Sequence, residues 1–456
     1  MTSAPGKFRS MMTDRLMIPF RGPVSATVTV PGSKSLTNRA LLAAALAEGE
    51  SALTGALDSE DTQIMADALG QIGFGLSFSS MEKRIAASGG ISRRKRENGS
   101  APARIYVGNS GITARFLTAA LSFIPGTWEL YGKERIYSRP IGDLIDALRD
   151  LNADIESLKM PDALPLRVCG RELAGGEVSV KGNISSQFLS ALLMAAPLAK
   201  GPLTIRVAGE LVSRPYVEMT LAVMKSFGVE VQTPDPQTFV IPETAAYKPA
   251  NYAVEPDASA ASYFVALPAV VGGKVRVRGL SRNSLQGDVA FAELLGQMGC
   301  SVAWDEDGIE VERKVTGGRP AQLVGIDVDM NDISDTVQTL SVVSLFAATP
   351  TRIRNVAHIR GKETDRIAAV AAELRKFGVR VDEYSDGLHI WPKPVSAMTG
   401  ARIETYDDHR MAMSFSLAGL AIPGVIIENT ECTAKTYPRY FEDLSAALGV
   451  SSSAEA

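Results

Sequence analysis

The hexapeptide FGVEVQ (227–232) closes a helical pattern on a glycine and turns straight into a β-like run. The same figure returns as IGFGLS (72–77), LNADIE (151–156), MGCSVA (298–303), FGVRVD (377–382) and LGVSS (448–452). Its turn positions are Gly73, Asn152, Gly228, Gly299, Gly378 and Gly449, spaced 71 to 79 residues apart. Glycine and asparagine accept the left-handed backbone of a helix C-cap, so each marks the end of an amphipathic helix. Six copies of one unit follow, each longer than an ordinary solenoid repeat.

Upstream in each copy a short polar opening leads into a second kind of helix. The six openings are PGSKSLTNRA from Pro31, GNSGITARF from Gly108, GNISSQF from Gly182, DASAASYF from Asp257, NDISDTVQ from Asn331 and YDDHRMAM from Tyr406. The helices they start are apolar on nearly every side, which a surface helix cannot be. They are predicted to lie buried, with sheets and the amphipathic helices around them. The β-like runs between the helices complete a βαβαββ module. Six modules divide as three plus three, with a boundary predicted between Tyr252 and Asp257 in the turn-rich KPANYAVEPDA (248–258).

A chain of 456 residues exceeds one ordinary core, and 45% hydrophobic with 21% charged residues is a globular balance. The net charge of −4 provides no global field toward nucleic acid or membrane. Anion chemistry must come from local clusters of cations. SRRKRENGSAPA (92–103) is read as a solvated loop, because no aromatic residue is interleaved with its charges. Cys169, Cys300 and Cys432 are an odd number without ligand spacing, so buried reduced thiols are expected, with no metal and no disulfide framework. The N-terminal MTSAPGKFRSMMTDRLM breaks its apolar stretches with charges and does not read as a secretory leader. No stretch approaches a membrane span. A free, cytosolic, monomeric chain is the expectation.

The polar openings carry the unusual residues. Lys34, Ser35 and Arg39 begin the first buried helix, and Ser35 and Arg39 share a face at i,i+4. Unpaired N–H groups at a helix start favour an anion, although Lys and Arg there are often merely solvated. Gly111 follows Asn109 and Ser110, with Arg135 and Arg139 in KERIYSRPIG (133–142). Ser185, Ser186 and Gln187 precede LVSRPYVE (211–218), with Ser213 and Tyr216. Taken singly, these hydroxyls read equally as N-caps. The SRP triplets at 138–140 and 213–215 suit a loop that aims a cation and starts a helix with proline at its first position. In the second half Asp335 precedes an apolar helix, and Lys362, Glu363 and Arg366 are spaced to share a helical face. Arg410 and Lys435 complete the set. Arg366, Arg410 and Lys435 read as cations at helix starts, where they oppose the dipole, and this points to a bound anion.

In this order PGSKS-x-x-NRAL, LDSEDT, GN-x-G, ERI-x-SRPIG, SSQFLSALLMAAPL, LVSRPYVEMTL, DASAASYF, KETDRIAA, YDDHRMAMSFSLAGL and CTAKT-YP-x-YF resemble the 5-enolpyruvylshikimate-3-phosphate (EPSP) synthase family, from about Pro31 to Tyr440. The resemblance implies an α/β fold: a two-domain inside-out α/β barrel with three βαβαββ units per domain around a pseudo-threefold axis. It implies one domain over 32–252 and a discontinuous second one over 1–31 plus 253–456. It further implies transfer of the enolpyruvyl group of phosphoenolpyruvate to the 5-hydroxyl of shikimate 3-phosphate, with release of phosphate.

Carried over by motif, Lys34, Ser35, Arg39, Ser185, Ser186, Ser213, Tyr216, Asp335 and Lys362 would hold shikimate 3-phosphate. Lys34, Gly111, Arg139, Gln187, Arg366, Arg410 and Lys435 would surround phosphoenolpyruvate. Asp335 would take the hydroxyl proton, and Glu363 or Lys435 would protonate the methylene carbon. Seven cations (Lys34, Arg39, Arg139, Lys362, Arg366, Arg410 and Lys435) would face roughly six substrate charges. Enol protonation requires neither a metal nor a redox cofactor.

Family members usually continue GNAGT-x-x-RP, whereas this chain reads GNSGITARF, with Ile112 and Phe116 in place of Thr and Pro. A bulky Ile112 is expected to narrow the pocket near Gly111 and make the chain insensitive to the inhibitor glyphosate; neutral repacking is the bland alternative. Three rival readings compete with this one. The UDP-N-acetylglucosamine enolpyruvyl transferases use a loop cysteine, and residues 1–168 contain none. RNA 3′-phosphate cyclases need a nucleotide-accepting histidine and a path for RNA; His409 could be proposed, but the acidic balance and the lack of basic or aromatic stripes oppose it, and His358 and His389 read as ordinary loop or strand residues. A non-catalytic binding protein would be expected to lack Asp335 or Glu363.

Overall fold

The computed structural model describes residues 14–20, 22–79, 84–92 and 102–450. The N-terminal residues read as lacking a leader lie mostly outside this set, as does most of the loop at 92–103. All six turn positions adopt the left-handed backbone the sequence demanded, with φ of 108° at Gly73, 65° at Asn152, 82° at Gly228, 114° at Gly299, 76° at Gly378 and 66° at Gly449. Each follows an outer helix: Glu60–Ile72, Gly142–Asp150, Arg214–Ser226, Phe291–Gln297, Arg366–Lys376 and Tyr440–Ala447.

The apolar helices lie inside. Every residue of Gly111–Phe123 and of His409–Gly419 is buried. Lys34–Leu46, Gly111–Phe123 and Ser186–Ala195 pack on one another, and His409–Gly419 packs on Ala258–Val265 and Val337–Val343. Side-chain caps start five of them at the helix side of the polar openings: Ser33 accepts from Leu36 N–H, Ser110 from Thr113, Ser185 from Gln187, Asp257 from Ala260 and Asp408 from Arg410.

Sheets cover these helices. In the second module Ala103–Tyr106 runs parallel to Gly126–Tyr131, which pairs antiparallel with Leu166–Gly170 and that strand with Asp154–Ser157. The same order recurs in the third and fifth modules. The first and fourth borrow a strand. Asn251–Ala253 pairs in parallel with Gly49–Thr54, and Val24–Val28 with Gly273–Arg278. The stretch read as a turn-rich boundary therefore carries a strand that completes the first sheet. The sixth sheet has three strands, one of them Arg15–Leu16. Alternation sets the buried faces: in GEVSVK (176–181), Val178 and Val180 turn inward and their neighbours outward.

Two hydrophobic cores result. One runs from Leu36 to Val254; the other joins Met17, Val24, Val28 and Val30 to Ala258 through Leu444. The fold is the expected two-domain inside-out α/β architecture. Among the described residues no helix is long and apolar enough to cross a membrane. The cysteines are free; Cys300 and Cys432 are buried, whereas Cys169 is half-buried.

Candidate active site

Helix starts from both cores converge on one cleft of about 550 Å³. Lys34, Gly111, Ser186 and Arg366 are each the first residue of a helix and Arg410 the second, so their positive dipole ends face the same space. Ser35, Ile112, Arg139, Gln187, Ser213 and Tyr216 complete one wall, and Asp335, Lys362 and Glu363 the other.

The two halves touch across it. Arg135 donates to the backbone carbonyls of Glu363 at 2.8 Å and Lys362 at 3.0 Å. Ser213 N–H donates to Asn331 Oδ1 at 2.8 Å, and Lys435 Nζ to the Asn109 carbonyl at 2.9 Å. Ser213 holds a left-handed backbone, φ 52°, that a serine rarely adopts. Pro215 follows at the second helical position and Pro140 stands ahead of its helix, rather than at the first position as read.

Arg366 is the hub. Its side chain is 1% exposed, with Nε 2.8 Å from Asp408 Oδ2, Nη1 3.0 Å from Asp335 Oδ1 and Nη2 2.9 Å from Glu363 Oε2. Arg410 Nη2 lies 2.7 Å from Asp335 Oδ2, and Lys362 Nζ 4.0 Å from Oδ1. Glu363 Oε1 meets Lys435 Nζ at 3.0 Å and Arg139 Nη1 at 3.6 Å. Asp61, in the first turn of Glu60–Ile72, lies 3.8 Å from Lys34 Nζ and 4.0 Å from Lys435 Nζ.

Burial alone would raise both central carboxyls. Arg410, Lys362 and Arg366 overcome it at Asp335, and Lys435, Arg139 and Arg366 at Glu363, holding each well below the usual carboxylate range. Burial brings Lys362 down to about 8 despite Asp335.

Several expectations change here. Lys362 and Glu363 do not share a helix with Arg366, because Asp365 caps that helix by accepting from Ala368 N–H and leaves them in the preceding loop. Glu363 reaches Arg366 from there. The cations at helix starts are offset by carboxylates of the chain itself, so their position alone does not require a ligand. Lys435 ends the helical turn Thr430–Lys435, where the dipole favours it. Arg39 faces away from the cleft: it is buried and donates to Thr220 at 2.8 Å, Ser35 O at 3.0 Å and Tyr216 O at 3.1 Å. Ser185 caps its helix, accepting from Gln187 N–H, and does not line the cleft. Six cations thus face four carboxylates, an excess of positive charge but a smaller one than the sequence count.

Arg115 was missed. It donates to Gln187 Oε1 at 2.7 Å and to the Pro140 carbonyl at 2.6 Å, fixing two walls, and burial, with Arg139, lowers it to about 9. An arginine inside an otherwise apolar helix was the available signal, since such a charge needs internal partners. His358 is no idle loop residue: its Nε2 lies 3.1 Å from Ser213 Oγ, and burial, then Lys362, lowers it to about 4. His409 is buried, and burial with Arg410 holds it neutral. At Gly111 a Cβ would stand 2.4 Å from Arg115 Nη1 and 2.6 Å from Arg139 Nη2, so only glycine fits beside these pinned guanidinium groups.

The model of the family described as EPSP synthase (3-phosphoshikimate 1-carboxyvinyltransferase) matches residues 20–444. The 3-phosphoshikimate 1-carboxyvinyltransferase of Trichormus variabilis is 46% identical over 440 residues, covering 96% of this chain and 100% of that one. The chain belongs to the EPSP synthase family. A Shewanella halifaxensis protein of the same name is 46% identical over 424 residues, 93% of this chain and 97% of its own. The EPSP synthase structure from Acinetobacter baumannii superposes with a TM-score of 0.77 at 26% identity, over 95% of this chain and 98% of that one. In this EPSP synthase family member the cleft between the two cores is thus the candidate active site.

Proposed function

We propose that the chain transfers the enolpyruvyl group of phosphoenolpyruvate to the 5-hydroxyl of shikimate 3-phosphate and releases phosphate, in the route to chorismate and the aromatic amino acids. The observation that carries this reading is a cleft with an excess of cations and two carboxylates at its centre, Glu363 buried and Asp335 half-buried. Two anions suit it. Arg139 Nε and Arg410 Nε are buried donors without a partner among the described residues, which an anionic ligand would satisfy.

Lys34, Ser35, Ser186, Ser213, Tyr216 and Lys362 hold shikimate 3-phosphate, with Asp335 at its reacting hydroxyl. Arg39 and Ser185 act from behind, one by pinning the Ser35 and Tyr216 carbonyls and the other by capping the helix of Ser186 and Gln187. Lys34, Gly111, Arg139, Gln187, Arg366, Arg410 and Lys435 surround phosphoenolpyruvate. Asp335 removes the hydroxyl proton as oxygen attacks C2, and Lys435 or Glu363 delivers a proton to C3. Glu363 is ionised in the free protein. Substrate anions that draw Lys435, Arg139 and Arg366 toward themselves raise its proton affinity, which fits it to that exchange. Loss of a methyl proton and of phosphate from the tetrahedral intermediate regenerates the double bond, and the cations stabilise the departing charge.

The same reading takes 32–252 and 1–31 plus 253–456 as the domains, supported by the two separate cores, and a cytosolic monomer as the working form. Phosphate release from phosphoenolpyruvate should require shikimate 3-phosphate and not respond to UDP-N-acetylglucosamine; the reverse dependence would contradict it.

Ile112 lines the cleft beside Gly111, and Phe116 is buried with Arg39 over its ring at 5.4 Å. Glyphosate is bulkier than phosphoenolpyruvate, so Ile112 weakens it selectively. Ile112→Thr is expected to lower the glyphosate inhibition constant at least about tenfold, the effect of relieving one methyl-sized clash. Equal constants for the two proteins would refute the assignment.

A further inference from the structure

Asp288 has no part in these roles, yet it stands one side chain away from Asp335. It lies in the helical turn Gly287–Ala290, is 3% exposed, and its Oδ1 has no hydrogen-bond partner among the described residues. Its Oδ2 accepts from Ser259 Oγ and stands 3.1 Å from Tyr216 Oη. The same Tyr216 Oη is 3.1 Å from Asp335 Oδ2. A phenol has one proton and can donate to only one of two carboxylates, so the line Asp335–Tyr216–Asp288 has a place for one more.

The two ends of that line differ in charge. Arg366, Arg410 and Lys362 surround Asp335, and among the described residues no lysine or arginine forms an ion pair with Asp288. The groups facing Asp288 are Asp335, Tyr216, Arg410, and Asp257 and Ser259 from the start of Ala258–Val265. A shared proton is therefore held more tightly at Asp288. Burial, with Asp335, raises its carboxyl to about 7, while Asp335 stays well below the usual range. Burial also pushes the Tyr216 phenol well up, so it passes a proton without ionising.

We propose that Asp335, Tyr216 and Asp288 form a proton relay that carries the proton of the attacking hydroxyl away from Asp335. The relay rests on Asp335 being the proton acceptor of the proposed reaction. The substrate O–H bond breaks as Asp335 gains the proton. Asp335 then gives it to Tyr216 Oη while the tyrosine's own proton moves to Asp288 Oδ2. One proton has moved, the tyrosine is neutral throughout, and Asp335 is again a carboxylate bonded to Arg366 and Arg410. An adjoining cavity of about 440 Å³, lined by Asp288, Ser259, Gln286 and Asp257 and sharing Lys34, Ser35, Tyr216 and Arg410 with the cleft, is where Asp288 loses that proton to water.

The test is kcat against pH, from about pH 5 to 9, with phosphoenolpyruvate and shikimate 3-phosphate. The unsubstituted protein should gain rate as Asp288 ionises, with an acid limb near 7. Asp288→Asn should lower kcat about 100-fold and abolish that limb, with KM for shikimate 3-phosphate unchanged. Tyr216→Phe cuts the line between two intact carboxylates and should remove the same limb, which keeps the test decisive should Asp288→Asn fail to fold. An Asp288→Asn protein with near-normal kcat, or with the limb intact, would overturn the relay alone. No turnover by the unsubstituted protein would overturn the functional reading and the relay with it.

Discussion

Asp335→Asn is expected to lower kcat by about 10³-fold, the scale on which loss of a positioned base is felt. The amide is isosteric, so the cleft keeps its shape. It cannot take a proton, and Arg366, Arg410 and Lys362 each lose a carboxylate neighbour. Those freed cations should hold the two substrate anions at least as well as before, so the loss falls on kcat rather than KM. Steady-state kinetics on a variant with an unchanged circular dichroism spectrum checks this. A kcat within tenfold of the unsubstituted protein would remove Asp335 from the chemistry.

Arg366→Met should destabilise the fold by about 3–5 kcal/mol, because it leaves three buried carboxylates short of their shared cation. Methionine fills much of the volume, so the effect reports charge rather than a cavity. The dependence on pH has a definite sign. Asp335 and Glu363 are held below their unfolded values, so they contribute stability above the ordinary carboxylate range, and that contribution is lost as pH falls through the folded values. The variant has less of it to lose. Its deficit in urea denaturation should be full at pH 7 and should shrink below about pH 4. A deficit under about 1 kcal/mol, or one that ignores pH, would mean that the hub carries little of the stability.

The outline of the fold was legible because its markers are local. Only glycine or asparagine sits easily at φ of 65° to 114°, and those residues punctuate the chain six times. A helix such as GITARFLTAALSF, apolar all round, has one possible place. The exchanged strands were not legible. Asn251–Ala253 is three residues long among turn formers, and its partner Gly49–Thr54 is about 200 residues away. Pattern shows what a segment can be, and pairing at that range is decided by the whole.

The site divides in the same way. Lys34, Arg139, Glu363, Arg366 and Arg410 were found because charges beside apolar helices demand an explanation, and all of them line the cleft. Arg39 was aimed wrongly. The i,i+4 spacing did bring it to Ser35, but to its backbone carbonyl, on a face turned inward toward Thr220. Asp61 and Asp408 stand at helix starts, where capping accounts for an acid without revealing the lysine or arginine opposite. Asp288 had no signal at all, since its importance lies in a tyrosine and an aspartate 72 and 47 residues distant along the chain.

The most direct measurement is proton and carbon NMR of the product formed from phosphoenolpyruvate and shikimate 3-phosphate. The account predicts a vinyl ether on O5 of the shikimate ring, with its two methylene protons, and one equivalent of inorganic phosphate. Unreacted substrates, or an enolpyruvyl group on any other oxygen, would contradict it.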